Sequence, residues 1–168
     1  KDLDFQGVKL VIDCANGAAY KLAPTVLREL GATVEVIGNK PDGMNINAGC
    51  GAVHPELLQE EVLRHKADLG IALDGDADRA VFVCEQGKII DGDHVMAALG
   101  LDLQRNGLLS KQTLVGTVMS NFGLELSMSK AGIKLIRTPV GDRYLLERML
   151  AEGYSFGGEQ TAHFIFLD

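Results

Sequence analysis

Short apolar runs alternate with amphipathic stretches through the first half of the chain. Apolar, β-branched runs bounded by turn residues predict strands, whereas apolar residues spaced three or four apart predict helices. Pro24 and Pro55 suit the first turns of two helices, and Gly31 marks the end of the first. The order strand, helix, strand, helix, strand predicts a mostly parallel sheet with helices packed on it. The predicted strands are 8–13, 33–37, 69–73 and 80–84; one helix ends near Leu30, and the other carries the apolar stripe Leu57, Leu58, Val62 and Leu63.

The second half of the chain repeats this plan. Its first predicted strand and following turn correspond to 8–17, the helix end at Gly132 corresponds to Gly31, and the turn at Glu159 corresponds to the turn at Asp74. The offset drifts along the chain, which indicates a domain-scale duplication rather than a short repeat. We therefore predict an α/β fold of two similar mixed, mostly parallel sheet domains arising from an internal duplication, 1–88 and 89–168. In the second domain the predicted strands are 114–118, 133–136, 154–156 and 164–167, and the predicted helices are 94–105, 124–131 and 142–151.

Three carboxylates crowd the turn between the third and fourth predicted strands. Asp74, Asp76 and Asp78 stand at every second position, and Arg79 follows them directly. Like charges this close are costly unless a cation neutralises them. Oxygen ligands without His or Cys suit a hard divalent ion such as Mg²⁺ or Ca²⁺. The turn therefore predicts a metal site, with Arg79 placed to hold a phosphate beside it.

Two other interpretations of this turn are possible. An EF-hand also begins D-x-D-x-D, but its sixth position should be Gly where this chain has Arg79, and an apolar β-branched run follows where a helix should start. A solvated Asp-Gly turn without a ligand is compatible with Gly75. Three aspartates in five residues exceed what such a turn needs, so the pattern favours the metal site.

Composition and charge narrow the class of protein. The chain has 168 residues and a net charge of -7, which argues against nucleic acid as the main partner. It contains neither an apolar run long enough to span a membrane nor a signal-peptide pattern, so we expect a soluble, cytoplasmic protein. Cys14, Cys50 and Cys84 have no C-x-x-C pairing and are predicted to be small buried residues. The abrupt ends at Lys1 and Asp168 suggest a piece of a longer chain.

A second polar constellation follows two glycines near the end of the chain. Glu159, Gln160, Thr161 and His163 offer a carboxylate, an amide, a hydroxyl and an imidazole, a mixture that suits the hydroxyls of a sugar. The alternative is a polar hairpin loop. Upstream, Asp142 and Arg143 precede a predicted helix and could approach a phosphate or sugar, or simply form a capped helix start. Asp91 and Asp93 are predicted to cap the helix 94–105.

Several of these motifs resemble those of the α-D-phosphohexomutase family. The sequence D-G-D-A-D-R resembles the family's metal loop D-G-D-G-D-R, and G-E-Q-T-A-H resembles its sugar-binding loop, typically G-E-x-S-G-H. V-I-D-C-A-N-G, N-I-N-A-G-C-G-A-V-H-P-E-L-L and T-P-V-G-D-R-Y-L-L-E-R-M look like the branch that acts on glucosamine phosphate. The resemblance covers nearly the whole chain, and the motifs occur in the family's order.

The resemblance implies roles for individual residues. Asp74, Asp76 and Asp78 would bind Mg²⁺, and Arg79 would reach the phosphoryl group. Glu159 and Thr161 would hold sugar hydroxyls, His163 would be the loop histidine, and Gln160 would favour an amino sugar where the glucose and mannose branch often has Met. Ala77 stands where the family has Gly, which matters if that residue needs a positive φ. Thr161-Ala162 replaces the family's Ser-Gly, which keeps the hydroxyl but adds a methyl group on each residue and so affects the fit of the sugar.

The resemblance also implies a four-domain enzyme, of which this chain would supply the second domain and most of the third. The implied reaction interconverts glucosamine 6-phosphate and glucosamine 1-phosphate through a phosphoserine and a 1,6-bisphosphate. Glucose or mannose phosphate is the alternative substrate, and a non-catalytic Ca²⁺-binding or sugar-binding module is the alternative from another class. The family's phosphorylated serine lies in a T-A-S-H-N-P motif, and no serine here has that setting. The fourth domain, which grips the substrate's unreactive phosphate in the family, would also be missing. The serines are Ser110, Ser120, Ser127, Ser129 and Ser155.

Overall fold

The computed structural model describes residues 3–167 and separates into two compact units, Lys1–Ile90 and Asp91–Asp168. Each unit is an α/β domain with its own sheet, which confirms the predicted fold class. The first unit extends two residues beyond the predicted boundary at 88. The short strand Ile89–Ile90 pairs with Phe82 and Val83 of the preceding strand, so these residues complete the first sheet.

The first unit has a five-stranded sheet in the order β2-β1-β3-β4-β5. β1 is parallel to β2 and β3. β4 is antiparallel to β3, and β5 is antiparallel to β4. Successive side chains of β1 are buried on opposite faces, because Val11 packs in a cluster with α2 and Ile12 packs in a cluster with α1. The elements are β1 Lys9–Asp13, α1 Leu22–Glu29, β2 Thr33–Ile37, α2 Glu56–His65, β3 Leu69–Leu73, β4 Ala80–Cys84 and β5 Ile89–Ile90.

Only part of the predicted apolar stripe on α2 is buried. Leu58 and Val62, four residues apart, are fully buried against the sheet. Leu57 and Leu63 are 38% and 54% exposed because they flank that line on the helix surface. The helix ends at His65, and the C-cap residue Lys66 adopts the left-handed conformation at φ 49°.

The second unit has a four-stranded sheet in the order β7-β6-β8-β9. β6 is parallel to β7 and β8, and β9 is antiparallel to β8. This order matches β2-β1-β3-β4 of the first unit, so the two halves share one plan and the turns β3–β4 and β8–β9 are equivalent. The elements are α3 Gly92–Arg105, a 3₁₀ turn Ser110–Gln112, β6 Thr113–Thr117, α4 Phe122–Lys130, β7 Lys134–Thr138, α5 Asp142–Glu152, β8 Phe156–Gly158 and β9 Phe164–Phe166.

β8 is displaced from its predicted position at 154–156. It pairs with β6 at Gly157, opposite Val115. A Cβ atom on Gly157 would lie 2.8 Å from the Val115 carbonyl oxygen and 2.8 Å from the Met149 sulfur. The central position therefore requires glycine, although Gly157-Gly158 suggested a loop in the sequence.

One of the two predicted caps of α3 is wrong. Asp91 does cap the helix, because its Oδ1 accepts the His94 backbone N–H at 3.0 Å. Asp93 instead is only 2% exposed, and its Oδ2 accepts the backbone N–H of Asn121 at 2.8 Å. Asp93 therefore joins the start of α3 to the start of α4.

The cysteines are all free, with Cys14 and Cys50 buried and Cys84 half-buried. Burial and the nearby Asp13 raise the pKa of the Cys14 thiol to about 11. Burial also raises the pKa of Cys50. No helix within residues 3–167 is long and apolar enough to cross a membrane.

Candidate functional site

The β3–β4 turn gathers the three aspartates predicted to bind metal. The Ala77 N–H donates to the Asp74 carbonyl at 2.9 Å, and the Asp74 N–H donates to the Arg79 carbonyl at 3.3 Å. These bonds fold the turn so that one carboxylate oxygen from each aspartate lies within 4.8 Å of the others. Asp74 is buried, whereas Asp76 and Asp78 are exposed. The group thus consists of one buried carboxylate and two carboxylates that are open to solvent.

Arg79 contacts two of the three carboxylates. Its Nε lies 2.8 Å from Asp74 Oδ2 and 3.4 Å from Asp78 Oδ1. Burial by itself raises the pKa of Asp74, but contacts with Asp78 and Arg79 outweigh it and hold that pKa below its ordinary value. The same hydrogen bond with Asp74 raises the pKa of Arg79. Both groups are therefore ionised at neutral pH.

The donor set of this turn fits a hard divalent cation. Asp74, Asp76 and Asp78 form the only group of three or more metal-ligating side chains within residues 3–167. All three are carboxylates, which suit Mg²⁺ and Ca²⁺ rather than zinc or copper. Arg79 neutralises only part of their charge, so the turn retains a net negative charge that a cation would balance.

The β3–β4 turn is held in place by residues that the sequence analysis predicted only to form a turn. The Ala18 N–H donates to the Gly75 carbonyl at 2.8 Å. A Cβ on Gly17 would lie 2.3 Å from that same oxygen, so glycine is required for the approach. Buried Asp13 accepts N–H groups from Ala15 at 2.9 Å and Gly51 at 2.7 Å, which fixes the neighbouring loops. The V-I-D-C-A-N-G motif carried this signal.

Both departures from the family glycines fall at left-handed residues. Ala77 has φ 59° and Ala162 has φ 68°. A side chain at such φ values is strained, typically by about 1–2 kcal/mol. The two candidate loops therefore keep the backbone shape of a glycine-containing turn at some cost in stability.

The β8–β9 turn presents the second constellation at the equivalent end of the second sheet. The Glu159 N–H donates to the His163 carbonyl at 2.9 Å, and the Ala162 N–H donates to the Glu159 carbonyl at 3.0 Å. The Glu159 side chain is held in place because its Oε1 accepts the Gly141 N–H at 2.8 Å. Its Oε2 accepts the Thr161 hydroxyl at 3.3 Å, so this oxygen is shared with an exposed group that a ligand could replace.

A cavity of about 310 Å³ adjoins this turn. Glu159, Gln160 and Thr161, three of the predicted sugar-binding residues, form one wall. Sequence reasoning missed the second group of lining residues, Thr117, Met119 and Val140, which forms the other wall. Their only sequence signal is position, because they follow the carboxyl ends of β6 and β7, where open α/β sheets bind ligands.

The remaining predicted residues lie away from this cavity. Arg143 is exposed and forms an ion pair with Glu147 at 2.7 Å. The Asp142 carboxylate accepts the Arg143 N–H at 2.7 Å within the first turn of α5. The N-cap residue is Gly141, which has no side chain, so the capped helix start given as the alternative does not form. His163 is half-buried at the end of the turn and does not line the cavity. In this segment Gly141 reaches the site, through its amide.

Comparison with known proteins places both halves in one family. The profile described as phosphoglucomutase/phosphomannomutase, alpha/beta/alpha domain II, matches residues 2–87, and the profile for alpha/beta/alpha domain III matches residues 91–168. The chain belongs to the phosphoglucomutase/phosphomannomutase family. The order of the two matches along the chain, domain II before domain III, agrees with the division of the chain into two units.

Curated relatives match this family member along its whole length. Proteins named phosphoglucosamine mutase from Citrifermentans bemidjiense, Geobacter metallireducens and Geotalea uraniireducens are 58%, 60% and 59% identical over 168 residues. The match covers 100% of this chain and 37% of each relative. The chain thus spans little more than a third of the length of these proteins.

Solved structures of the family share the fold. A phosphoglucomutase/phosphomannomutase family protein from Burkholderia thailandensis superposes with a TM-score of 0.84 at 27% identity, covering 96% of this chain and 35% of that one. Aspergillus fumigatus N-acetylphosphoglucosamine mutase, crystallised with GlcNAc-6P and magnesium, gives a TM-score of 0.66 at 23% identity over 97% of this chain and 37% of that one.

Proposed function

We propose that this chain forms the second and third domains of a phosphoglucosamine mutase, which interconverts glucosamine 6-phosphate and glucosamine 1-phosphate. The observation that carries the proposal is the pair of equivalent turns: three aspartates within 4.8 Å of one another in the first domain, and a fixed glutamate beside a cavity in the second. The name shared by relatives 58–60% identical over the whole chain supports the sugar.

The first turn would neutralise the charge of the phosphoryl group. Asp74, Asp76 and Asp78 would hold Mg²⁺, which would supply neutralisation of the charge on a transferring phosphoryl group. Arg79 is placed beside them, and its guanidinium offers donors in the planar arrangement that phosphate oxygens accept. Buried Asp74 fixes the turn, while the exposed Asp76 and Asp78 can adjust to the ion.

The second turn orients the sugar. The Gly141 amide holds Oε1 of Glu159, and Oε2 accepts the Thr161 hydroxyl. Both residues line the cavity, so they would offer a sugar an acceptor and a donor. A carboxylate favours the protonated amine or a hydroxyl of glucosamine, and the Gln160 amide can both donate and accept. His163, Asp142 and Arg143 are further substrate-binding candidates by resemblance. Arg143 could bind phosphate by exchanging its solvent-exposed partner Glu147.

The phosphoryl carrier lies outside this chain in the proposal. A mutase needs a covalent carrier that gives one phosphoryl group and takes back another, and the family's carrier is a phosphoserine in the first domain. The first and fourth domains of the same enzyme would therefore be the partners of this chain. The positioning and charge neutralisation described above are the contributions that such a transfer requires of the second and third domains.

A mutase assay on the full-length enzyme tests the proposal. We expect glucosamine 1-phosphate to form from glucosamine 6-phosphate in the presence of Mg²⁺, and activity to fall when Mg²⁺ is chelated. A higher kcat/KM with glucose or mannose phosphate would assign the enzyme to the family's other branch. Binding of Ca²⁺ or free sugar without any phosphosugar turnover would instead indicate a non-catalytic module and overturn the proposal.

A further inference from the structure

We propose that Gly92 and Asp93, the first two residues of α3, are positioning residues that fix the two walls of the cavity beside Glu159. Neither residue lines the cavity, and each acts on a different wall through a direct contact. The proposal concerns the geometry of the second domain; its kinetic consequence rests on the proposed function.

Gly92 holds the wall formed by the β8–β9 turn. Its N–H donates to the Gln160 carbonyl at 3.1 Å. A Cβ at this position would lie 2.3 Å from the Glu159 carbonyl oxygen and 2.7 Å from the Gln160 carbonyl oxygen. Both obstacles are backbone atoms, so a methyl group could be admitted only by moving the turn that carries Glu159, Gln160 and Thr161.

Asp93 holds the wall that includes Thr117 and Met119. Its Oδ2 accepts the Asn121 N–H at 2.8 Å, and the Asn121 side chain in turn accepts the Leu124 N–H at 2.9 Å to cap α4. The segment immediately before Asn121 carries Thr117 and Met119 to the cavity. Because Asp93 is only 2% exposed, this charged hydrogen bond is made away from solvent and is correspondingly strong.

The second oxygen of Asp93 suggests that the residue is not present for stability alone. Oδ1 is buried without a hydrogen-bond partner within the described part of the chain. A buried carboxylate oxygen without a donor costs stability. An amide in its place could still accept from Asn121 while removing the buried charge.

The start of α3 is a rigid platform for both contacts. Met96, one turn further along the helix, is fully buried in the core cluster that includes Leu114 and Phe156. Two adjacent residues on one anchored helical turn therefore set the distance between the walls. A shift of about 1 Å in such supporting residues can weaken a site by as much as about a hundredfold.

The test compares Gly92→Ala with Gly100→Ala in the full-length enzyme. Gly100 lies on the same helix, and a Cβ there would meet only the Met128 sulfur at 3.3 Å and a Leu114 methyl at 3.9 Å, both side-chain atoms. We expect Gly92→Ala to raise the KM for glucosamine 6-phosphate about tenfold or more with a much smaller change in kcat, because the cavity binds substrate and transition state alike. Gly100→Ala should leave KM unchanged.

Hydrogen exchange supplies a readout that does not depend on activity. In Gly92→Ala, amides in 157–163 should exchange at least tenfold faster, whereas Gly100→Ala should leave them unchanged. A second pair covers the case in which Gly92→Ala does not fold: Asp93→Ala should raise KM and speed exchange in 117–121, and Asp93→Asn should restore both. Unchanged exchange in Gly92→Ala or in Asp93→Ala would overturn the positioning role. An inactive wild-type enzyme would overturn the proposed function, and exchange would still decide the role of Gly92 and Asp93.

Discussion

Replacing Ala77 with glycine should stabilise the first domain. Ala77 lies in the metal turn at φ 59°, where a Cβ is strained by about 1–2 kcal/mol. Glycine removes that strain but gives the unfolded chain more freedom, which costs about 0.4–1 kcal/mol. The midpoints of these ranges differ by about 0.8 kcal/mol, which is the increase we expect in the free energy of unfolding. For a domain of this size, that corresponds to a rise in Tm of about 2–8 °C.

The measurement is thermal and urea unfolding of the purified chain in EDTA, since bound metal would add its own stabilisation. Ala48→Gly is the matched control, because Ala48 is an exposed loop residue of the same domain that does not have a positive φ. There the substitution should lower stability by about 0.4–1 kcal/mol. An Ala77→Gly chain that is no more stable than the wild type would refute the strain argument.

Three further predictions concern the two turns and the thiols. Asp76→Asn should remove an exposed ligand, so turnover of the full-length enzyme at limiting Mg²⁺ should fall about tenfold or more with Tm nearly unchanged; equal Mg²⁺ titration curves would contradict the metal assignment. Gln160→Met should lower the kcat/KM ratio for glucosamine phosphate over glucose phosphate, and an unchanged ratio would count against its role. Cys84 should react with a thiol reagent at pH 8 at least about a hundredfold faster than Cys14, whose pKa is raised to about 11 by burial and Asp13. Equal labelling of both thiols in the native chain would refute the burial argument. Because the pKa of Cys14 is raised in the folded state, its contribution to stability should be lost as pH rises towards 11.

Local sequence determined most of the elements and the contents of both turns. β2, β3 and β4 have the predicted bounds. β3 and β4 are apolar runs that turn residues end, and β2 alternates polar residues with Val34 and Val36. Asp74, Asp76 and Asp78 could be grouped from sequence because they share one tight turn, so their spacing along the chain fixes their proximity in space. The same holds for Glu159, Gln160 and Thr161.

Tertiary structure decided the features that depend on residues far apart in sequence. Gly157 pairs with Val115 in the sheet, and this strand position must be glycine because β6 and α5 leave no room for a Cβ. Asp93 leaves its expected capping role because the Asn121 N–H lies beside it. Thr117, Met119 and Val140 line the cavity together with the β8–β9 turn because separate loops meet at one end of the sheet. The contact between Gly92 and that turn also joins residues far apart in sequence. Periodicity reports which face of an element is buried, whereas the identity of the neighbour across that face is set by chain packing.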